Sequence, residues 1–244
     1  MINKLTLQSI ISKYYLNGTV EAVKWTIKDD KLTIRFMSPN KDMLGETTFD
    51  GFKMVNNEIA IYNTSQLNKL LSITSGDVML NISKNGGVST HLTIADNQFN
   101  AIYALADPLL IGKVAKAEEP SEYTATSTIE TEQIAALIKA KSALPDAITV
   151  NISTETNING DQVLKFTIGE KSTYSNLIQY DIATQSNGTF EIPFNADIFK
   201  EILVANKDQE SGTIEISKDG LMKLSFESED KTLKSTYFMV RNQE

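Results

Sequence analysis

The chain contains few side chains that could carry out catalytic chemistry. Among its 244 residues there is one histidine, His91, and no cysteine. His91 lies in a threonine-rich alternating segment that predicts a strand, where a lone histidine usually has a structural or exposed role. Neither a second histidine nor a cysteine is available to complete a zinc site with it. Because GxxxxGK[ST], GxGxxG and GxSxG motifs are also missing, we expect no enzyme activity, no cofactor and no metal.

Lysines are the other candidates, because clustered lysines can contact phosphates. The net charge of −8 by itself argues against a nucleic-acid-binding protein. However, four predicted helices at 3–16, 64–75, 131–143 and 195–207 hold seven lysines and three acidic residues, so they carry +4 and leave −12 elsewhere. Six of these lysines are candidate phosphate contacts: Lys4, Lys13, Lys69, Lys139, Lys200 and Lys207. The alternative interpretation is an ordinary solvated helix face.

The helical wheel places these lysines at different angles from the apolar side. With about 100° per residue, Lys69 and Lys139 lie nearly opposite the apolar stripes of their helices. Lys13 and Lys200 lie roughly 110° away, on the flank. The seventh lysine, Lys141, projects onto the apolar side, so we expect it to lie where its helix ends before Pro145.

The elements that position these lysines recur along the chain. An apolar-x-x-apolar-apolar pattern, which marks one face of an amphipathic helix, occurs four times at intervals of roughly 65 residues. Its copies are Leu7/Ile10/Ile11, Leu67/Leu70/Leu71, Ile134/Leu137/Ile138 and Phe199/Ile202/Leu203. The segments between the copies predict strands, and in three copies a strand leads directly into a capped helix. Repetition of one helix-plus-strands unit indicates an architecture built by duplication.

The segment 106–123 interrupts this repetition and predicts a connector. It contains Pro108, Gly112 and Pro120, a charged cluster and a small apolar segment. We therefore predict an N-terminal domain at 1–107, a connector at 108–122 and a C-terminal domain at 123–244. The fold class is α+β, with two helix-plus-strands repeats per domain. No apolar run is long enough for a membrane span, so we expect a soluble, unexported protein.

Residues 59–116 resemble the middle of the sliding clamps of T-even-type tailed phages. The resemblance is carried by a hairpin chain after the Ala60-Ile61-Tyr62 strand, a leucine-rich helix, and the Ala106-Asp107-Pro108 start of the connector. Residues 34–49 and the final strand at 235–240 are also similar to those clamps, although motif-level similarity is confined mainly to 34–116. The clamps of archaea and eukaryotes are a near alternative, but their C-terminal tail motif is missing here.

This resemblance implies a DNA clamp fold, in which two similar domains per subunit build a homotrimeric ring with helices lining the hole. It implies duplex DNA, a DNA polymerase and a clamp loader as partners, in the cytoplasm of an infected bacterial cell. On this interpretation the helix lysines face DNA phosphates. The alternative function is a non-enzymatic phage structural or adhesin-type β-rich domain, which the Thr, Ser and Asn content and the many strands would suit. A small-molecule hydrolase has no candidate site.

Two further sites follow from matching positions in the family. The subunit interface would join the strand of Phe99, Ile102 and Tyr103 to the strand of Leu177, Ile178 and Tyr180. Short peptides of partner proteins would bind an apolar pocket near the connector, formed by Met37, Leu44, Leu110 and Val240. For both sets the alternative is that the side chains fill the domain cores.

Overall fold

The computed structural model describes residues 1–169 and 175–242 and has the α+β composition that the sequence predicts. The chain divides into two compact units. Unit 1 comprises Met1–Met37, Glu46–Lys116 and Thr232–Lys234, and unit 2 comprises the described parts of Ser38–Gly45, Ala117–Lys231 and Ser235–Glu244. The division between Lys116 and Ala117 falls inside the predicted connector. Over the described residues, no helix has the length and apolar character needed to cross a bilayer.

Unit 1 contains two helices and two sets of antiparallel strands. The helices are α1 (Lys4–Tyr15) and α2 (Thr64–Ser72). One sheet has the order β1-β6-β7-β8, formed by Ile2–Asn3, Asp77–Asn85, Val88–Ala95 and Asn100–Ala104. The other set has the order β4-β3-β2-β5, formed by Met43–Asp50, of which only residues 46–50 belong to unit 1, Lys31–Met37, Val23–Lys28 and Asn57–Ile61. Both predicted helices are confirmed to within three residues at either end.

Unit 2 repeats this organisation. Its helices are α3 (Thr131–Ala143) and α4 (Ala196–Ala205). One sheet has the order β12-β11-β10-β14, formed by Leu177–Ala183, Gln162–Gly169, Thr149–Thr156 and Glu191–Asn195. The other set has the order β13-β9-β15-β16-β17, formed by Gln185–Ser186, Ala125–Glu130, Ser211–Ser217, Leu221–Glu227 and Leu233–Val240.

One backbone hydrogen bond recurs at the start of all four helices. In each case the first helical residue donates its N–H to a carbonyl just before a strand of the same unit. The four pairs are Lys4 to Gly76 at 2.9 Å, Thr64 to Glu21 at 3.1 Å, Thr131 to Glu210 at 3.1 Å and Ala196 to Ile148 at 3.0 Å. A strand precedes the helix every time, including the two-residue β1 that the sequence analysis did not detect. Duplication of one unit would produce the same hydrogen bond in each repeat.

Local sequence explains where the helices begin and how β2 turns into β3. Asn3, Asn63 and Asn195 cap three helices, and each side-chain oxygen accepts a backbone N–H of the first turn. Asp29 and Asp30 both have positive φ, 53° and 57°, as a tight two-residue hairpin turn requires. The alternating burial of β2 and β3 then places one face of this hairpin in the core of unit 1 and the other in solvent.

Candidate nucleic-acid and assembly surfaces

The helices pair within each unit, α1 with α2 and α3 with α4. Each helix buries most of its apolar stripe, with Leu70 and Ile138 half-buried, and α2 and α3 present their opposite sides to solvent. Lys69 of α2 and Lys139 of α3 are exposed on those sides, as the wheel predicts, and Lys207 is exposed just beyond the end of α4. These three ammonium groups are therefore accessible to an anionic partner.

Two other predicted lysines already make polar contacts within the protein. The ammonium of Lys4 donates to the carbonyl of Ser72 at 2.9 Å and to that of Thr74, so it caps the C-terminal end of α2. Lys200 is partly exposed and pairs with Glu201 at 3.5 Å. Contact with a phosphate would have to compete with these interactions, which leaves both lysines less available than Lys69 or Lys139.

The prediction of an accessible Lys13 is wrong, whereas Lys141 lies on the buried side of the last turn of its helix, as predicted. Lys13 is only 1% exposed rather than on an exposed flank, because α1 packs against both α2 and β3 and its buried face is wider than its apolar stripe. Lys141 lies in the last turn of α3, which ends at Ala143, before Pro145. Its buried ammonium donates to the carbonyl of Pro145 at 2.8 Å and contacts an Asp197 carboxylate oxygen at 2.8 Å. Lys141 therefore ties the end of α3 to the start of α4.

The first predicted interface strand, β8, forms the end of its sheet in the described structure. Its outward side chain Ile102 is 60% exposed, and Phe99, just before the strand, is 44% exposed. Ile102 lines an apolar groove of about 470 Å³ together with Tyr62, Leu70 and Leu110. An unpaired sheet edge beside exposed apolar side chains is the kind of surface that proteins usually cover.

The side chain of Tyr103 adds little to that exposed surface, although the residue lines the groove, and its interface role stays a prediction. The side chain is 4% exposed, because alternation in β8 turns it to the opposite face from Ile102. Its hydroxyl accepts the N–H of Asn63 at 3.0 Å and donates to the carbonyl of Asn63 at 3.1 Å. Burial raises the pKa of Tyr103. The residue thus holds the capping residue of α2 in place.

The second predicted interface strand, β12, is likewise the end strand of its sheet in the described part of unit 2. Leu177 is 39% exposed, and Ile178 and Tyr180 are half-buried on the other face of the strand. Each unit therefore presents one free edge with apolar side chains beside it. Whether the two edges pair between copies stays a prediction.

The four residues of the predicted peptide pocket lie in different surroundings. Leu110 is 70% exposed and lines the groove next to Ile102. Met37 of unit 1 is 38% exposed. In unit 2, Leu44 is half-buried and Val240 is 45% exposed, and the N–H of Val240 donates to the carbonyl of Asp42 at 3.0 Å. The groove therefore associates Leu110 with the β8 edge, while the pocket itself stays a prediction.

The end of the connector is fixed to unit 2 by a cluster that the sequence analysis missed. Lys223 contacts Glu119 at 2.7 Å and Glu215 at 3.2 Å, and its ammonium lies 5.6 Å from the centre of the Tyr123 ring. Burial opposes the charge of Lys223, but hydrogen bonds to the two glutamates raise its pKa. Part of this cluster had a signal in the sequence, because Glu215 and Lys223 carry opposite charges at facing positions of β15 and β16. The partner in the connector could not be read from spacing.

Comparison with known proteins identifies the fold but not the family. No family model and no curated protein sequence matches this chain. Among solved structures, the chain is similar to the Proliferating Cellular Nuclear Antigen of Entamoeba histolytica, with a TM-score of 0.76. The match covers 99% of this chain and 96% of that one, at 13% sequence identity. The chain has the fold of that antigen. The predicted clamp fold is thus confirmed, while the ring is a matter for proposal.

Within this fold, the Asp96 carboxylate organises the turn that leads into β8. The hydrogen bonds that it accepts predict a lowered pKa for this carboxyl group. Its carboxylate accepts the N–H groups of Phe99 at 2.7 Å, Gln98 at 2.8 Å and Ser75 at 2.7 Å, which lower its pKa. Because the pKa is depressed in the folded state, the turn gains stability above the unfolded-state pKa of about 3.9 and loses it as pH falls through the lower folded value.

We expect an NMR titration of the Asp96 carboxyl to have its midpoint below about 3.9. The amide shifts of Phe99 and Gln98 should follow the same midpoint. Asp96→Asn is the control, since it removes the titrating group and should remove that response from both amides. A midpoint at or above the usual aspartate value would contradict the assignment.

Proposed function

We propose that this chain is the subunit of a sliding clamp, a homotrimeric ring that encircles duplex DNA and tethers a DNA polymerase during synthesis. The observation that carries the proposal is the fold match over 99% of the chain. A ring held by topology needs phosphate contacts but no base recognition. Lysine suits that task, and the chain has only two arginines, Arg35 and Arg241, for bidentate base contacts.

Two surfaces support ring assembly. The edges of β8 and β12 are in different units, so pairing them between copies would join unlike surfaces head to tail, as closure of a ring requires. In this arrangement Ile102 and Phe99 of one subunit would pack near Leu177, Ile178 and Tyr180 of the next. Their pairing would also remove two exposed sheet edges.

The phage assignment rests on the sequence resemblance at 34–116. On this proposal a separate ATP-driven clamp loader opens the ring, the chain itself catalyses nothing, and the protein acts in the cytoplasm of the infected host. Short peptides of the polymerase and of other factors would bind at the predicted pocket of Met37, Leu44, Leu110 and Val240. No observation favours the phage structural or adhesin-type domain.

Engineered disulfides test the ring directly, because the chain has no cysteine of its own. Ile102→Cys would be combined in turn with Leu177→Cys, Ile178→Cys, Gln179→Cys and Tyr180→Cys. A disulfide needs Cα atoms about 4.4–6.8 Å apart, so only one or two of these pairs should crosslink if β8 and β12 pair. We expect those pairs to give a covalent trimer on mild oxidation.

Oxidation in the presence of nicked circular DNA then tests encirclement. A closed covalent ring around DNA should survive denaturing detergent and should leave only when the circle is cut. Ile102→Cys with Ile158→Cys is the control, since Ile158 lies in the turn between β10 and β11 and not on β12. The proposal fails if no tested pair gives a covalent trimer, or if DNA retention does not depend on circularity.

Neutralising the two exposed helix lysines should weaken the salt-dependent part of DNA binding. Each phosphate contact contributes about 0.9 to the slope of log affinity against log salt, so Lys69→Gln/Lys139→Gln should lower that slope by roughly 1.8 for each subunit whose two lysines contact DNA. The measurement is DNA affinity of the uncrosslinked protein across a salt series. Lys84→Gln, an exposed lysine of β6, is the control and should leave the slope unchanged. An unchanged slope in the double variant would remove these lysines from the DNA surface.

A further inference from the structure

The solvent face of the β2–β3 hairpin carries two cation pairs that directly oppose each other. Lys24 faces Arg35 and Lys28 faces Lys31, with Thr26 opposite Thr33 between them. Like charges at opposed positions destabilise a sheet. Two such pairs on one face are unexpected in a chain whose net charge is −8. Such a face requires negative charge close by, from the chain itself or from a partner.

These six side chains line a cleft of about 750 Å³ in unit 1, here called the β2–β3 cleft. The connector closes one side of it through Gly112, Lys113 and Val114. The volume is within the usual range for binding sites. Because the lining comes from a sheet face and the connector, this surface is separate from the exposed helix lysines and from the β8 edge.

Carboxylates within unit 1 neutralise part of the cleft. Lys24 pairs with Glu58 at 3.7 Å, Lys31 pairs with Asp50 at 3.2 Å, and Arg35 pairs with Glu46. Asp29 also lines the cleft, where its carboxylate accepts from the side-chain amide of Asn56 at 3.4 Å. By contrast, Lys28 and Lys113 are exposed and form no ion pair with any described residue. Lys28 and Lys113 are therefore the cations of the cleft that no ion pair among the described residues neutralises, and the nearby Asp29 carboxylate offsets part of their charge.

We propose that the β2–β3 cleft binds an extended acidic segment of a partner protein, with carboxylates on Lys28 and Lys113. Interspersed acidic side chains would repel a uniformly charged phosphate backbone, whereas a peptide can place its carboxylates selectively. The lining also contains no aromatic side chain on which the bases of a single strand could stack. The Thr26 and Thr33 hydroxyls can bond peptide amides and carbonyls between the two lysines. The proposal does not depend on ring formation.

The test uses a fluorescein-labelled peptide of alternating glutamate and serine, about ten residues long, with binding followed by anisotropy at low salt. Saturable binding is expected, and Lys28→Glu/Lys113→Glu should weaken it by at least about tenfold because two attractive contacts become repulsive. The matched control, Lys84→Glu/Lys218→Glu, makes the same charge change at exposed positions outside the cleft and should alter the affinity by less than about twofold. Unchanged fluorescence of Trp25, which is buried in β2, verifies that the variants are folded.

Three results would overturn the proposal. One is no saturable binding of the peptide up to about 1 mM. Another is equal weakening by the cleft variant and its control, which would mean that only net charge matters. The third is that an oligothymidine binds and the peptide does not, and that Lys28→Glu/Lys113→Glu abolishes binding of the oligothymidine. This result would assign the cleft to nucleic acid.

Discussion

In the proposed ring, Ile102→Glu is expected to dissociate the trimer into monomers. Three copies of the 27.0 kDa chain have a mass of about 81 kDa, and the variant should have the single-chain mass. Ile102 is 60% exposed in the isolated chain and borders the apolar groove at the β8 edge. A glutamate there would be buried without a partner at every interface of the ring, which carries a desolvation cost of several kcal/mol. We expect association to weaken by at least about a hundredfold, or about 2.7 kcal/mol.

Light scattering over a concentration series measures this change. Ile158→Glu is the matched control, since Ile158 is entirely exposed in a hairpin turn and should tolerate the same substitution without change of mass. A variant that remains trimeric would exclude Ile102 from the interface. A wild-type protein that stays monomeric even when concentrated, and that no Cys pair crosslinks, would contradict ring assembly as a whole.

The regular elements were predictable because the local signals agree with one another. For α2, Asn63 supplies the cap and Leu67 and Leu71 form the buried stripe, and the helix lies where the periodicity places it. Hairpin turns at Asp29-Asp30 and Asn85-Gly86-Gly87 separate the strands that the alternating pattern predicts. The first strand, β1, has only two residues, too few for any alternation to show.

Side-chain exposure on a helix was less predictable than the helix itself. The wheel gives an angle from the apolar stripe, but the width of the buried face depends on what packs against the helix. Contacts of α1 with both α2 and β3 bury Lys13, whereas Lys69 and Lys139 lie opposite their stripes and remain exposed. Lys141 shows that a lysine can stay on the buried side where a carbonyl and a carboxylate receive its charge.

Contacts between residues far apart in the sequence could not be predicted from the sequence pattern. Alternation in β8 implies that Ile102 and Tyr103 point to opposite faces, but it does not tell which of the two meets the core. The hydrogen bonds of Tyr103 to Asn63 cross 40 residues, and the contact of Lys223 with Glu119 crosses 104. Such pairings follow from the topology of the sheets. The same limit applies to the β2–β3 cleft, whose two strands are predictable but whose connector side is not.

The buried network around Asn206 should make this residue one of the most sensitive in unit 2. Asn206 caps the end of α4 and is completely buried. Its amide nitrogen donates to the carbonyl of Ile202 at 2.8 Å and to the hydroxyl of Tyr237 at 3.0 Å. Its amide oxygen accepts the hydroxyl of Ser235 at 2.8 Å. A leucine of similar size would remove all three hydrogen bonds, although the hydroxyls of Ser235 and Tyr237 also bond to each other.

We expect Asn206→Leu to lower the free energy of unfolding by about 3 kcal/mol, since it removes three buried hydrogen bonds, each of which contributes roughly 0.5–1.5 kcal/mol. Urea denaturation followed by far-UV circular dichroism measures the change. Asn187→Leu replaces an exposed asparagine and should stay within about 0.5 kcal/mol of wild type.

The decisive comparison adds Ser235→Ala and Tyr237→Phe to Asn206→Leu. Removing the two hydroxyls should recover part of the loss, because hydroxyls that have lost their hydrogen bonds to Asn206 are costly to keep buried. If the triple variant is instead less stable by the sum of its single changes, the three side chains do not act as a network.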